Sequence, residues 1–162
     1  MPPCGMGILL YAKGMQRARG FTLIELLVVI AIIGLLSAII TAILTSARAS
    51  SRDARRVADL KELRTALQLY FESNDNAYPS ALTDIVPTYI TPEPKDPGTG
   101  QSYFYDQVGG GTGFHLGANL EDATHSALAS DLDTVSDTIN GADSSDCGGG
   151  TNSGRRCYDV GP

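Results

Sequence analysis

The sequence predicts an α+β protein in which one long N-terminal helix is followed by a small head containing antiparallel strands. Three observations carry that expectation. Residues Leu26 to Ser46 hold no charge and are mostly Leu, Ile, Val or Ala. Val57, Leu60, Leu63, Leu67 and Tyr70 then recur at spacings of three and four, with neither Pro nor Gly between residues 35 and 72. Farther on, the alternating runs Ser102 to Gln107 and Gly113 to Leu120 flank Gly109, Gly110 and Gly111, a hairpin pattern.

About 20 apolar residues cross a bilayer core as a helix, so Leu23 to Thr45 is long enough to span one. A secretory signal peptide does not fit. Its apolar region is shorter and ends in a small-residue cleavage site, whereas Gly20 lies on the basic side, before the apolar run begins. Beyond the membrane the spacing of three and four makes an amphipathic stripe. Arg55 and Asp59, four apart, are expected on its polar face. One helix is therefore predicted from about Thr22 to about Ser73, roughly 50 residues or about 75 Å at 1.5 Å per residue. The stripe on its outer half must be buried by something C-terminal.

The head begins at the turn-rich Asn74 to Pro79. Ser80 can cap a short helix whose Leu82, Ile85 and Val86 face inward, ended by Pro87. Pro92-Glu-Pro-Lys-Asp-Pro97 forbids regular ladder pairing and reads as a fixed loop. After the hairpin, Leu128, Leu132, Val135 and Ile139 predict a second short amphipathic helix.

At 162 residues the chain makes one small domain plus a membrane segment. Residues 1 to 20 carry Lys13, Arg17 and Arg19 with no acid, whereas residues 71 to 162 carry Lys95, Arg155 and Arg156 against 14 acids, a net of −11. So acidic a head argues against nucleic acid as a partner, because neutralising phosphates needs clustered Lys and Arg. No nucleophile elbow, zinc-protease or phosphate-loop motif occurs, so no enzyme activity is expected.

The segment Arg19 to Ala38, RGFTLIELLVVIAIIGLLSA, resembles the class III signal of type IV pilins and type II secretion pseudopilins. The resemblance implies that a prepilin peptidase cuts between Gly20 and Phe21 on the cytoplasmic side. The same enzyme would methylate the new amino group of Phe21, and the helix would stay in the mature protein. The implied organisation is a leader at 1–20, a membrane and filament-core helix at 21–45, an amphipathic stalk at 46–73 and an extracytoplasmic head at 74–162. Translation from Met15 would give an ordinary short leader. In the family a small antiparallel sheet covers the stalk, which gives a pilin-like fold. Many pilins also carry a proline eight residues after the motif's glycine; here Gly34 is followed at that position by Ala42.

Glu25 has two readings. A carboxylate in a membrane helix costs on the order of 2.5–3.5 kcal/mol to insert, so it implies a partner. The amino group that cleavage frees on Phe21 of a neighbouring subunit is one such partner, and the pairing would set the stagger between subunits during assembly. The other reading is a capping box, since Thr22 and Glu25 have the T-x-x-E spacing. The assembly role is favoured, and both can hold at different stages.

Cations flanking the span are more numerous on its C-terminal side, where Arg48, Arg52, Arg55, Arg56, Lys61 and Arg64 lie. Positive-inside counting would thus keep the head in the cytoplasm. The peptidase signal requires the opposite: a single pass of the cytoplasmic (inner) membrane with its N-terminus inside, assembled into a periplasmic or surface filament.

The order Tyr78-Pro79, short helix, Pro94-Lys-Asp-Pro97, Tyr103-Phe-Tyr105 and a strand ending Leu120-Glu121 resembles the head of the G-type major pseudopilin of type II secretion. That family often holds calcium in its C-terminal loops, which makes Asp131, Asp133 and Asp137 weak calcium candidates. The EF-hand spacing fails from Asp131, with Ser136 and Ala142 at the sixth and twelfth positions. A solvated acidic face is preferred, and no cofactor is expected. Type IV pilins often close a C-terminal loop by a disulfide, which would pair Cys147 with Cys157. Two free thiols would fit a reducing compartment instead. His115 and His125 are not at zinc-finger spacing, and His115 is expected to pack or face solvent on its strand.

Three functions are compatible with these residues: a secretion pseudopilus subunit, a major or minor pilin of a surface fibre for adhesion, motility or DNA uptake, or a membrane-anchored extracytoplasmic binding domain. The first is preferred. Its implied partners are further copies of itself, other pseudopilins, the prepilin peptidase, the membrane and the inner-membrane assembly platform.

Overall fold

The computed structural model describes residues 20–141, 146–148 and 156–162, without the side chain of Ala42. Its elements are helix α1 (Leu23–Ser73), a 3-10 turn at Leu82–Ile85, strands β1 (Phe104–Val108) and β2 (Gly113–Leu120), a 3-10 turn at Ser126–Ser130 and strand β3 (Arg156–Val160). The chain divides into two compact units, residues 1–40 and 41–162. Helix α1 runs from the first unit into the second; it is long and apolar enough to cross a membrane, and none of its most apolar stretch is buried.

In the second unit the outer half of α1 packs on the sheet. Leu60, Leu63 and Leu67 are wholly buried, with Val57 and Tyr70 half-buried beside them, so the apolar stripe is the face that meets the head. The sheet has the order β1-β2-β3 and is antiparallel throughout, with Tyr105 opposite Leu116 and Ala118 opposite Tyr158. Alternation along β2 sends Phe114, Leu116, Ala118 and Leu120 into the helix-facing core. Tyr78 joins the layers, 4.6 Å from the ring of Phe71 and 4.8 Å from that of Phe114. The hairpin turns through Gly109, Gly110 and Gly111, all at positive φ, a backbone that side chains with a Cβ rarely adopt.

The far face of β2 is covered too. Ile139, Cys147 and Cys157 form a small second core with Phe104. Cys147 and Cys157 are joined by a disulfide between Cα atoms 4.7 Å apart. Gly117 makes room for it, because a Cβ there would lie 2.9 Å from Cys147 Sγ.

Three expectations are corrected. Ser80 does not cap the short helix: the turn begins after Ala81, and the Asp84 carboxylate accepts from both the Ala81 N–H and the Ser80 hydroxyl. Residues 128–139 form no amphipathic helix; only Ser126–Ser130 turns, and Leu132 and Val135 are exposed. Here Asp, Ser and Thr side chains offer the backbone alternatives to helical bonds. Asp159 accepts from the Asp133 and Thr134 N–H groups, and Asp106 from that of Thr138. Asp59 is not on a solvated face but 4% exposed, accepting a 2.6 Å bond from the Tyr103 hydroxyl. His115 packs within β2, as one of its two expected placements, and bonds as it does so. It is buried, with Nε2 2.5 Å from Asp159 and Nδ1 2.9 Å from Ser136 Oγ.

Candidate functional site: the start of the helix and its anchor in the head

The start of α1 holds a complete capping box. The Glu25 N–H donates to Thr22 Oγ1 at 3.3 Å, while the Thr22 N–H and hydroxyl donate to Glu25 Oε2 at 3.0 and 2.8 Å. Two of the four donors that a helix start leaves open are thereby satisfied. Gly20 and Phe21 precede the helix and are exposed, Phe21 by 80%. A Cβ added to Gly20 would meet no atom within 4 Å. The peptide between Gly20 and Phe21 therefore stands clear of the helix, open to an approaching group. None of the three capping bonds uses Glu25 Oε1, which leaves that oxygen for a second donor.

From Leu23 to Leu44 the large apolar side chains are 45–84% exposed. An apolar surface of that extent marks a membrane or protein contact.

Midway along α1 the helix is tied to the head by charge. Arg56 is 1% exposed and reaches three acids: Asp53 at 2.6 Å, Asp96 at 2.6 Å and Glu121 at 2.8 Å. Arg52 adds a two-pronged contact to Glu121, at 2.7 and 2.5 Å. Asp53 is wholly buried and accepts the N–H groups of Glu121 and Asp122 where β2 ends. Asp96 accepts the N–H groups of Gly98 and Thr99, so the proline-rich loop is fixed to the stalk through one carboxylate. Burial alone would raise Asp96, but the Arg56 guanidinium and those amides outweigh it and hold it at about 2. Hydrogen bonds from Arg52, helped by Arg56, lower Glu121 to about 2 despite burial. For Tyr103, burial and then the bond to Asp59 push the phenol far above its ordinary value.

A second polar cluster lies behind the sheet. Asp106 accepts from the Ser136 hydroxyl and, at 2.5 Å, from that of Thr138. Burial tends to raise this carboxyl, and the two hydroxyls and nearby amides bring it below its ordinary value.

Thr22 and Glu25 are thus brought together, as are Cys147 and Cys157. Asp131, Asp133 and Asp137 are not: among the described residues no three His, Cys, Asp or Glu form a group able to hold a metal ion. Reading the sequence missed Arg56 with its three acids, and His115 with Asp159. The i, i+3 spacing of Asp53 and Arg56 was the available signal, but Asp96 and Glu121 lie 40 and 65 residues away from Arg56.

Residues 15–41 match the family model described as the prokaryotic N-terminal methylation motif. The chain is 34% identical over 97 residues to type II secretion system core protein G of Pectobacterium carotovorum subsp. carotovorum, covering 57% of this chain and 61% of that protein. It is 30% identical over 87 residues to the core protein G of Vibrio cholerae, covering 52% of this chain and 59% of the relative. It is 44% identical over 59 residues to the type IV major pilin protein PilA of Myxococcus xanthus, covering 36% of this chain and 27% of PilA. The chain is thus similar to type II secretion pseudopilins and to a type IV pilin. It spans about three fifths of the length of the core G relatives. No solved structure matches it. The matched methylation motif takes in the exposed Gly20–Phe21 peptide, the capping box and most of the exposed apolar helix. Pilins and pseudopilins are structural subunits rather than enzymes.

Proposed function

We propose that this chain is a structural subunit of a type II secretion pseudopilus. A prepilin peptidase cuts it between Gly20 and Phe21 and methylates Phe21. It then polymerises from the inner membrane, through an assembly platform, with copies of itself and other pseudopilins. The head faces out of the cytoplasm, and Glu25 receives the amino group of a neighbouring Phe21 as subunits enter the filament.

The observation that carries the secretion reading is the extent of the core G match. It takes in 57% of the chain, more than the 73 residues that end with α1, so it includes part of the head. A shared membrane helix alone would not reach that far.

A second reading, a pilin of a surface fibre, draws support from the Cys147–Cys157 loop and from the likeness to PilA. Deleting the gene separates the two: a pseudopilin's loss abolishes export of secreted proteins and leaves surface fibres intact, whereas a fibre subunit's loss does the reverse. Processing is tested first. Gly20→Trp places a bulky side chain where close backbone approach is needed, so the protein should accumulate in the membrane at the precursor's mass. Mature-mass protein from that variant would remove the peptidase assignment.

A further inference from the structure

A cleft of about 540 Å³ opens in the head between the end of the β1–β2 hairpin and residues 132–137. Its apolar walls include Val108, Leu132 and Val135, which are 43, 47 and 72% exposed. Asp106 and Asp137 also line it, with no Lys or Arg. Ser136 and Thr138 fix the Asp106 carboxylate in place, while Asp137 is exposed. An apolar cleft bearing carboxylates suits a side chain with an aliphatic stem and a cationic end, which is Arg or Lys.

The head has few such residues to offer. Between residues 71 and 162 there are Lys95, Arg155 and Arg156, and Lys95 is bound to Glu93 at 2.9 Å. The stalk supplies them. Arg48 and Arg55 are seven residues apart, close to two turns, and so share one side of α1. Arg48 is exposed and, among the described residues, meets no acid. Arg55 is 71% exposed, and its one 3.3 Å contact, to the buried Asp59, leaves most of the side chain in solvent. Charge across the chain points the same way. Heads of net −11 repel one another at contact distance, and a basic stalk set against each acidic head relieves that.

We propose that this cleft is an interface between subunits, and that it receives Arg48 of a second copy of the chain, with Arg55 beside it. The inference rests on the filament reading above and names the surfaces that such a filament would join.

The test uses the full-length chain in cells. A photo-crosslinking residue at Val135, which is exposed and outside the core, should yield a dimer whose joined peptide lies in residues 46–58 of the second copy. Arg48→Glu and Asp137→Arg should each lower sheared filaments about fivefold or more at equal processing. Combined in one chain they should recover to within about twofold of the parent, as exchanged charge partners do. Crosslinks to another head or to a different protein would overturn the proposal, as would a combined variant no better than either single one. If the parent is processed and yields no filaments, the filament reading itself fails and takes this inference with it. Parental filaments without the stalk crosslink sink the inference alone.

Discussion

Ile30, Ile33 and Leu36 in the inner half of α1 are more than half exposed, whereas Leu60, Leu63 and Leu67 in its outer half are wholly buried. The same residue types on one helix meet opposite fates, and charge tells the halves apart. The inner half, after Glu25, carries no ionisable group up to Ser46, and its Ser37 and Thr45 hydroxyls donate to carbonyls of the helix itself. The outer half pairs its apolar stripe with Asp53, Arg56 and Asp59, all buried and all bonded to groups of the head. One half leaves its apolar surface uncovered by the described chain; the other is completed within it.

Breaking the inner tie gives the largest expected effect. Arg56→Ala would leave Asp53 buried beside Asp96 and Glu121 without their shared cation. Removing one member of a buried ionic group costs about 3–5 kcal/mol. Denaturant unfolding of the detergent-solubilised chain should show that loss, while membrane insertion of the inner half stays at the parental level. A loss below about 1 kcal/mol would mean that water replaces Arg56 easily.

Next comes the disulfide. Replacing Cys147 and Cys157 by Ser opens a short ring, whose closure is worth less than ~3 kcal/mol in the chain-entropy model. The second core should loosen around Ile139 and Phe104, while the packing of Leu60, Leu63 and Leu67 persists. Proteolysis of the oxidised and variant proteins should place new cuts in residues 131–157 and spare the stalk. Cuts in the stalk would show that the two cores are one cooperative unit.

The smallest effect is one of pH. Asp96 and Glu121 sit at about 2 in the folded chain against ordinary values of 3.8 and 4.5. Depressed carboxyl groups stabilise fully above their unfolded values and lose that contribution as pH falls through the folded ones. Stability from these two acids is therefore complete above about pH 5 and should fall progressively between about pH 4.5 and pH 2. Thermal unfolding of the parent should slope downward in that window. In Arg56→Met, which lacks the shared cation, the slope should flatten; an unchanged slope would place the effect elsewhere.

How far the sequence could be read follows the same division. Helix α1 was legible because periodicity and the absence of Gly and Pro are local properties, and the hairpin was legible from alternation around Gly109 to Gly111. Thr22 and Glu25 were legible because a capping box is a spacing of three. What escaped was set by residues distant in sequence. Asp59 sits at a polar-looking position, yet Tyr103, 44 residues on, draws it inward. Leu132 and Val135 have helical spacing, but Asp106 and Asp159, from two different strands, hold the backbone of 133–138 in another shape. The cations that follow the apolar run are likewise set by distant residues: Arg52 and Arg56 pair with acids of the head.

The central claim is that the inner half of α1 is completed by other copies of the chain, with Glu25 as its polar contact. Glu25→Ala tests this most directly. Without the carboxylate the insertion cost falls, so the monomer should enter the membrane at least as well as the parent, and cleavage after Gly20 should persist. The measurement compares processed protein with sheared or crosslinked filaments in the same cells. The account predicts processed protein at parental levels and filaments largely lost. Filaments at parental levels from processed Glu25→Ala protein would contradict it, and would leave Glu25 no role beyond capping the helix with Thr22.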